Sequence, residues 1–386
     1  MNKPVVLSPI ALEEIASSDI VIRLWSETEF SASKTPWNDL LRRSSADPLF
    51  LSWEWVHSWY NQFVDKSESS LRIIAAYDKK NQLIGIAPLY LGVAYTKNFV
   101  RTRRLQLLGS AWNNAKVMRS EYLEFITDSD HAPSVIKVIF NAICKMADWN
   151  ELILTDIKAH SLTYALLSTL TENINQYSRP IEKFNSYHVD TSGCFAAYLS
   201  SLGPNTRRKM FHQRAKLQRL GQVEYVSHCP KSLDELFESL DLLHFVRWQK
   251  TAFREKKKAF NRRFAELMQS RGALNFSMIL FDGKPISIHY NFIVDNTEYN
   301  IQSGFDEFFH PQLSIGYLHF GYDIEAAFRS NISKYDLLIG PGKHCQFKKF
   351  LTEMKTPCLN IQLFRGGISN LFFKAYDRLK NSSIDR

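Results

Sequence analysis

Apolar and polar positions alternate most densely between residues 275 and 306. There NFSMILFDGKPISIHYNFIVDNTEYNIQSGFD predicts three successive strands, with turns at Asp282-Gly283 and Asp295-Asn296. The period then changes: Tyr317, Phe320, Ile324 and Phe328 recur at helical spacing, with Asp323, Glu325 and Arg329 on other faces. A helix opening on Ser314, Ile315 and Gly316 leaves its first backbone N–H groups unpaired, which makes an anion site, and Gly316 would let a bulky anion approach. KYDLLIG (334–340) predicts another strand, closed by Gly340, Pro341 and Gly342, and HCQFKKFL (344–351) reads as a helix. The order is strand, strand, strand, anion-ready helix, strand, helix.

The first half repeats that order without repeating its residues. LRIIAAYDKKNQLIGIAPLYL (71–91) is a strand, a polar turn and a strand, and RRLQLLGS (103–110) and EYLEFIT (121–127) are further strand candidates. PSVIKVIFNAICKMA (133–147) is an amphipathic helix, NELILTDI (150–157) stands where KYDLLIG stands later, and SLTYALLSTLTENI (161–174) closes the series as a helix. A chain of 386 residues suits two cores better than one. The polar stretch QYSRPIEKFNSYHVDTSG (176–193) predicts the boundary, giving domains 1–189 and 190–386.

The net charge of +9 asks for an acidic partner. Its densest source is a predicted helix from Asn205 to Leu220, capped by Asn205, stopped by Gly221 and carrying Arg207, Arg208, Lys209, His212, Arg214, Lys216 and Arg219. Met210, Phe211, Leu217 and Leu220 form only a narrow apolar stripe, so most of these cations face water or a partner: CoA phosphates, a nucleotide-sugar or lipid pyrophosphate, tRNA, or an anionic membrane surface. Lys256, Lys257, Lys258, Arg262 and Arg263 form a second basic cluster with the same readings. No nucleic-acid motif such as a C2H2 finger accompanies them.

Five cysteines without a close pair, no secretory signal in MNKPVVLSPIALEEIASSD, and no apolar run longer than IGIAPLYLGVAY (84–95) predict a cytoplasmic protein, soluble or peripheral to the inner membrane. Nucleotide P-loop, zincin, CxxC and GxSxG motifs are absent. His310 and His319 are read as bystanders, so no metal is expected, and Trp53, Trp55, Trp59 and Tyr60 as a core-packing helix face.

Taken together, YLSSLGPNTRRKMFHQRAKLQRLG (198–221), LLHFVRWQKTAF (242–253), GKPISIHYNF (283–292), SGFDEFF (303–309), SIGYLH (314–319) and YDLLIGPGKHCQFKK (335–349) resemble the GNAT acyltransferases. Within them the resemblance is to the CelD/BcsL-like group, also called BioF2-like, which is related to the Fem peptidyltransferases. It implies an α/β (α+β) chain of two tandem GNAT-like domains, each a mixed, mostly antiparallel sheet flanked by helices. It also implies acyl-CoA as co-substrate on the helix at Ser314, and a degenerate first domain that binds no CoA and shapes the acceptor site. One departure is visible: Pro341, Gly342 and His344 stand where the family has an acidic residue and a tyrosine before its lysine.

Acyl transfer from a thioester needs an activated nucleophile, a stabilised oxyanion and a proton for the leaving thiolate. By the resemblance, the thioester lies along TEYNIQSG (297–304), which brings in Gln302 and Ser303, and then Ser314, Ile315, Gly316 and Tyr317. Asp306 is the first candidate base and His289 the second; the alternatives are a loop-capping aspartate and a packed strand histidine. Tyr317 and Tyr335 are candidate proton donors. Lys348 or Lys349 is expected at the donor or substrate phosphates, with Arg207, Arg208 and Lys209 as further phosphate ligands. Three functions follow as expectations: acyl transfer to an amino sugar, polysaccharide precursor or lipid-linked glycan in cell-envelope or exopolysaccharide synthesis; a Fem-type transfer from aminoacyl-tRNA; or a non-catalytic scaffold of a polysaccharide-synthesis machine.

Overall fold

The computed structural model describes residues 19–96, 100–112, 114–173, 177–339, 346–365 and 373. Gly340, Pro341, Gly342, His344 and the first eighteen residues, singled out above, lie outside the described residues. The chain divides into two compact units, the first running to Phe184 and resuming at Pro357, the second spanning Asn185–Thr356.

The first unit opens with β1 (Val21–Trp25), α1 (Glu27–Ala32), α2 (Lys34–Arg42) and α3 (Trp53–Phe63). Next come β2 (Ser70–Tyr77), β3 (Leu83–Thr96), β4 (Val100–Leu107) and β5 (Ile126–Thr127). Finally α4 (Ala132–Lys145), β6 (Glu151–Lys158) and α5 (Leu162–Asn173) follow, and β7 (Tyr177–Asp190) begins in this unit and ends, from Asn185, in the second. Its sheet runs β1-β2-β3-β4-β6, antiparallel except for β4 and β6, which pair in parallel over three residues each. Trp55, Trp59 and Tyr60 of α3 are buried, as their helical spacing predicts.

The second unit holds α6 (Phe195–Ser201), α7 (Pro204–Arg207), a π-helical turn (Arg208–His212), α8 (Gln213–Leu220), β8 (Val223–Val226), α9 (Leu233–Trp248) and α10 (Glu255–Gln269). It continues with β9 (Leu274–Phe281), β10 (Lys284–Val294), β11 (Thr297–Phe305), α11 (Ile315–Arg329), β12 (Lys334–Leu338) and α12 (Lys348–Leu351). The three expected strands are present. Asp282 and Gly283, then Asp295 and Asn296, all have positive φ, the conformation of two-residue hairpin turns. Strands β8 to β11 form an antiparallel meander, and α11 crosses to β12, which pairs in parallel with β11. Each unit is therefore a mixed α/β fold whose mostly antiparallel sheet is flanked by helices.

Four expectations need correction. The units divide between Phe184 and Asn185, inside 176–193 and not at 189/190, and the division falls within a strand: residues 177–190 form β7, whose last residues pair with β12. The second domain does not run to residue 386, because the final strand, β13 (Lys355–Phe364), pairs antiparallel with β6 and so returns to the first unit. EYLEFIT is a strand only at Ile126–Thr127; Tyr122 sits at φ 56°, which breaks an extended run. The basic helix begins at Pro204 with Gly203 as its cap residue, and it is widened by the π-helical turn. Gly321 of α11 explains how closely that turn packs, since a Cβ there would lie 2.3 Å from the Met210 carbonyl oxygen.

Candidate active site

Beyond Asp336 the backbones of β11 and β12 part. Their parallel pairing spans only Thr297–Tyr299 against Lys334–Asp336, so residues 300–305 of β11 have no strand partner on that side among the described residues. A register shift between β10 and β11 at Tyr290/Asn291 bulges β11 at the same place.

Alternation then decides what faces α11. Ser287, His289 and Asn291 of β10 point to one face and Tyr290 to the other, as the period of two requires. His289 is opposite Ser303, and Gln302 opposite Tyr290, so the two expected donor-strand residues lie on opposite faces of the sheet.

On the α11 face stands a buried network. Asp323 accepts hydrogen bonds from His289 Nδ1 at 2.8 Å, Tyr335 Oη at 2.9 Å and Asn291 Nδ2 at 3.2 Å on one oxygen, and from Tyr225 Oη at 2.9 Å on the other. Burial would raise its carboxyl, but His319 and His289 outweigh that and hold it well below the usual carboxylate range. An ionised carboxylate only accepts, so His289 Nδ1 carries the proton, and in the neutral ring Nε2 keeps the lone pair. Among the described residues that Nε2 is buried without a hydrogen-bond partner.

His319 stacks on His289, centroids 3.7 Å apart at 8°, and its ring nitrogens meet Ser287 Oγ at 2.6 Å and Ser277 Oγ at 3.0 Å. Burial, then the neighbouring His289, pulls its pKa down to about 4, so it is neutral at pH 7. Glu298 accepts from Asn275 and Asn291, and burial followed by the charge of Asp323 pushes its carboxyl up to about 8. Asn300 donates to Asn291 and accepts from Ser303 Oγ, which ties the network to the part of β11 beyond its pairing with β12.

His289, His319 and Asp323 offer ligand atoms within 4.8 Å of one another. They do not fit a metal ion. The two imidazole planes are nearly parallel at 3.7 Å, so their in-plane lone pairs cannot converge on one ion.

The other expected site residues are placed as follows. Asp306 accepts from the Phe308 amide at 2.9 Å, the geometry of a loop cap. The Ser314 amide is taken by Gln213 Oε1 at 3.0 Å, while Ile315, Gly316 and Tyr317 form the first turn of α11, whose N–H groups have no partner within the helix. The missing side chain of Gly316 serves packing, because a Cβ there would meet the Phe305 ring at 2.7 Å. Tyr317 is half-buried under the Lys209 ammonium, 4.9 Å from its ring centre, which brings the basic helix to the start of α11. Arg208 is exposed, and Arg207 donates to the Leu202 carbonyl at 3.1 Å. Lys348 donates to the carbonyls of Leu337 and Leu338, at 2.5 and 3.0 Å. The second basic cluster is largely ion-paired: Lys258 with Asp241, Arg262 with Asp234, and Arg263 with Glu266.

Sequence reasoning missed Asp323, His319, Asn291 and Glu298 as members of one site. Two signals were available: polar residues at 287, 289 and 291 on one face of an apolar strand, and His319 and Asp323 one helical turn apart.

Residues 204–349 match the family model described as "Acetyltransferase (GNAT) domain". This part of the chain is similar to GNAT-type domains. The match covers β8 to β12 together with α11, and so contains the His289 network. No curated protein matches the chain. Among solved structures, FemX is similar at 9% identity, covering 89% of this chain and 96% of FemX with a TM-score of 0.58. A conserved protein of unknown function from Bacteroides thetaiotaomicron is similar at 11% identity, covering 89% and 99% with a TM-score of 0.51. Both likenesses concern the fold. No described helix is long and apolar enough to cross a membrane.

Proposed function

We propose that the chain transfers an acyl group from acyl-CoA to an amine or hydroxyl of an amino sugar, polysaccharide precursor or lipid-linked glycan, in the cytoplasm or at the inner face of the membrane. The observation that carries the proposal is the parting of β11 from β12 after three paired residues, within a GNAT domain and beside the start of α11. Residues 300–305 offer backbone groups to an extended ligand, with Ser303 on the His289 side. The first-turn amides of Ile315, Gly316 and Tyr317, with Arg208 and Lys209, are where the phosphates would be held. Acyl-CoA supplies an activated thioester carbonyl when bound.

His289 is assigned the proton from the attacking group. Asp323 fixes its tautomer and stabilises the imidazolium that forms, and the unpartnered Nε2 lone pair is the site that takes the proton. Asp306, engaged as a loop cap, is assigned to structure. A thermal-shift screen of CoA thioesters against charged tRNA tests the function. Stabilisation by acetyl-CoA or a longer thioester supports it, stabilisation by charged tRNA alone favours a Fem-type transfer, and a response to neither favours the scaffold reading.

A further inference from the structure

The parting of β12 from β11 coincides with a break in the regular course of β12 itself. Asp336 pairs with His188 of β7 and Leu338 with Tyr187, so Leu337 is an extra residue and β12 bulges there. Leu338 follows at φ 61°, a conformation that a bulky side chain keeps only where its neighbours impose it. Two neighbours do so. Asp336 Oδ1 accepts from the Leu338 amide at 2.8 Å, and the Lys348 ammonium donates to the carbonyls of Leu337 and Leu338, at 2.5 and 3.0 Å. Consecutive carbonyls of an extended strand point to opposite edges, so one ammonium takes both only while Leu338 stays out of the extended conformation. The lysine is anchored on the side of β7. Leu351, one turn along α12, is 0% exposed in a core with Val189, Tyr335 and Leu337, and Thr352 Oγ1 donates to the His188 carbonyl of β7 at 2.8 Å.

We propose that Lys348 is a positioning residue: it holds the bulge of β12 on the β7 side and so keeps the β12-facing edge of residues 300–305 open for the extended arm of the thioester donor. Without the ammonium the carbonyls of Leu337 and Leu338 converge with no donor between them. Leu338 then relaxes to an extended conformation, and β12 runs on beside β11 past Asp336, where their pairing now stops. The edge closes. This role differs from the phosphate contact that the sequence suggests for Lys348, and the donor itself separates the two: a strut acts on the thioester arm whether or not phosphates follow it, whereas a phosphate ligand acts only when they do. The inference rests on the acyl-transfer reading for its ligand, while the strut is a property of the protein without donor.

Lys348→Met keeps the length of the side chain and removes its donors, and Lys348→Arg restores donors that reach both carbonyls. The probes are acetyl-CoA and S-acetylpantetheine, which carries the same thioester arm and no phosphate. In the full chain, Lys348→Met should weaken binding of both by the same several-fold factor, and Lys348→Arg should recover most of it. Amide hydrogen exchange of the protein without donor reads the strand directly: in Lys348→Met the amides of residues 300–305 turned toward β12 should exchange several-fold more slowly than in wild type. A loss confined to acetyl-CoA would make Lys348 a phosphate ligand and overturn the proposal. A lower melting temperature with both affinities unchanged would overturn it too, as would unaltered exchange at 300–305. If wild type binds neither thioester, the acyl-transfer reading falls on its own, and the exchange rates alone decide whether Lys348 holds β12 away.

Discussion

His289 and Asp306 are both titratable groups within reach of the same strand end, and the structure distinguishes them by what each already does. The Asp306 carboxylate is used by the Phe308 amide, whereas His289 is held by Asp323 through one nitrogen and left with a buried lone pair on the other. His289→Asn should therefore lower kcat by about 10²–10⁴-fold with acyl-CoA affinity retained, while Asp306→Asn should keep turnover within a few-fold and lower the melting temperature. The reverse pattern in steady-state kinetics would return the role to Asp306. His319 contributes through pH. Its folded pKa, near 4 against an ordinary 6.5, means that the unfolded chain takes up a proton across a window where the fold refuses it. Stability is therefore lost as pH falls from 6.5 toward 4, at about 1.4 kcal/mol per pH unit at most. Glu298 acts with the opposite sign: raised from 4.5 to about 8, it holds a proton that the unfolded chain has lost, so its contribution declines as pH rises through that window. The two partly cancel in the wild type, so the difference between wild type and His319→Asn is the useful quantity. In urea titrations that difference should grow from pH 4 to 6.5 and then level off; parallel curves would show that His319 is not held neutral.

Among the elements, the π-helical turn links the basic helix to the site. It packs against Gly321 of α11 and places Lys209 over Tyr317, while Gln213 grips the Ser314 amide from the next turn. A replacement of Arg208 and Lys209 by alanine should raise KM for acyl-CoA and flatten its dependence on salt, with kcat little changed. Kinetics that match the wild type at low and moderate salt would assign both side chains to a solvated face. The meander and α11 were legible in the sequence because hairpin turns and helical spacing are local signals, carried by Asp282-Gly283, Asp295-Asn296 and the apolar series from Tyr317. The π-helical turn was not, since nothing in RRKMFH marks an extra residue per turn, and the packing of Gly316 against Phe305 was hidden because Phe305 comes from a separate element.

For the whole molecule, the repeated element order foretold two mixed α/β units, but the crossings of the chain were hidden. The polarity of residues 176–193 marks a boundary but hides that 177–190 form β7, and β13 pairs with β6 across about two hundred residues of sequence, which no local pattern encodes. The same limit kept the network out of view, since Asp323 joins His289, Tyr225, Tyr335 and Asn291 from separate elements. Acyl-CoA is proposed to bind the GNAT-like stretch of this chain along the β12-facing edge of residues 300–305 and at the start of α11. Titration calorimetry of acetyl-CoA into the full chain tests it most directly. Saturable binding is expected at one site per chain, weakened when Arg208 and Lys209 are replaced by alanine and unchanged in His289→Asn; no heat with acetyl-CoA, longer thioesters or free CoA would contradict binding there.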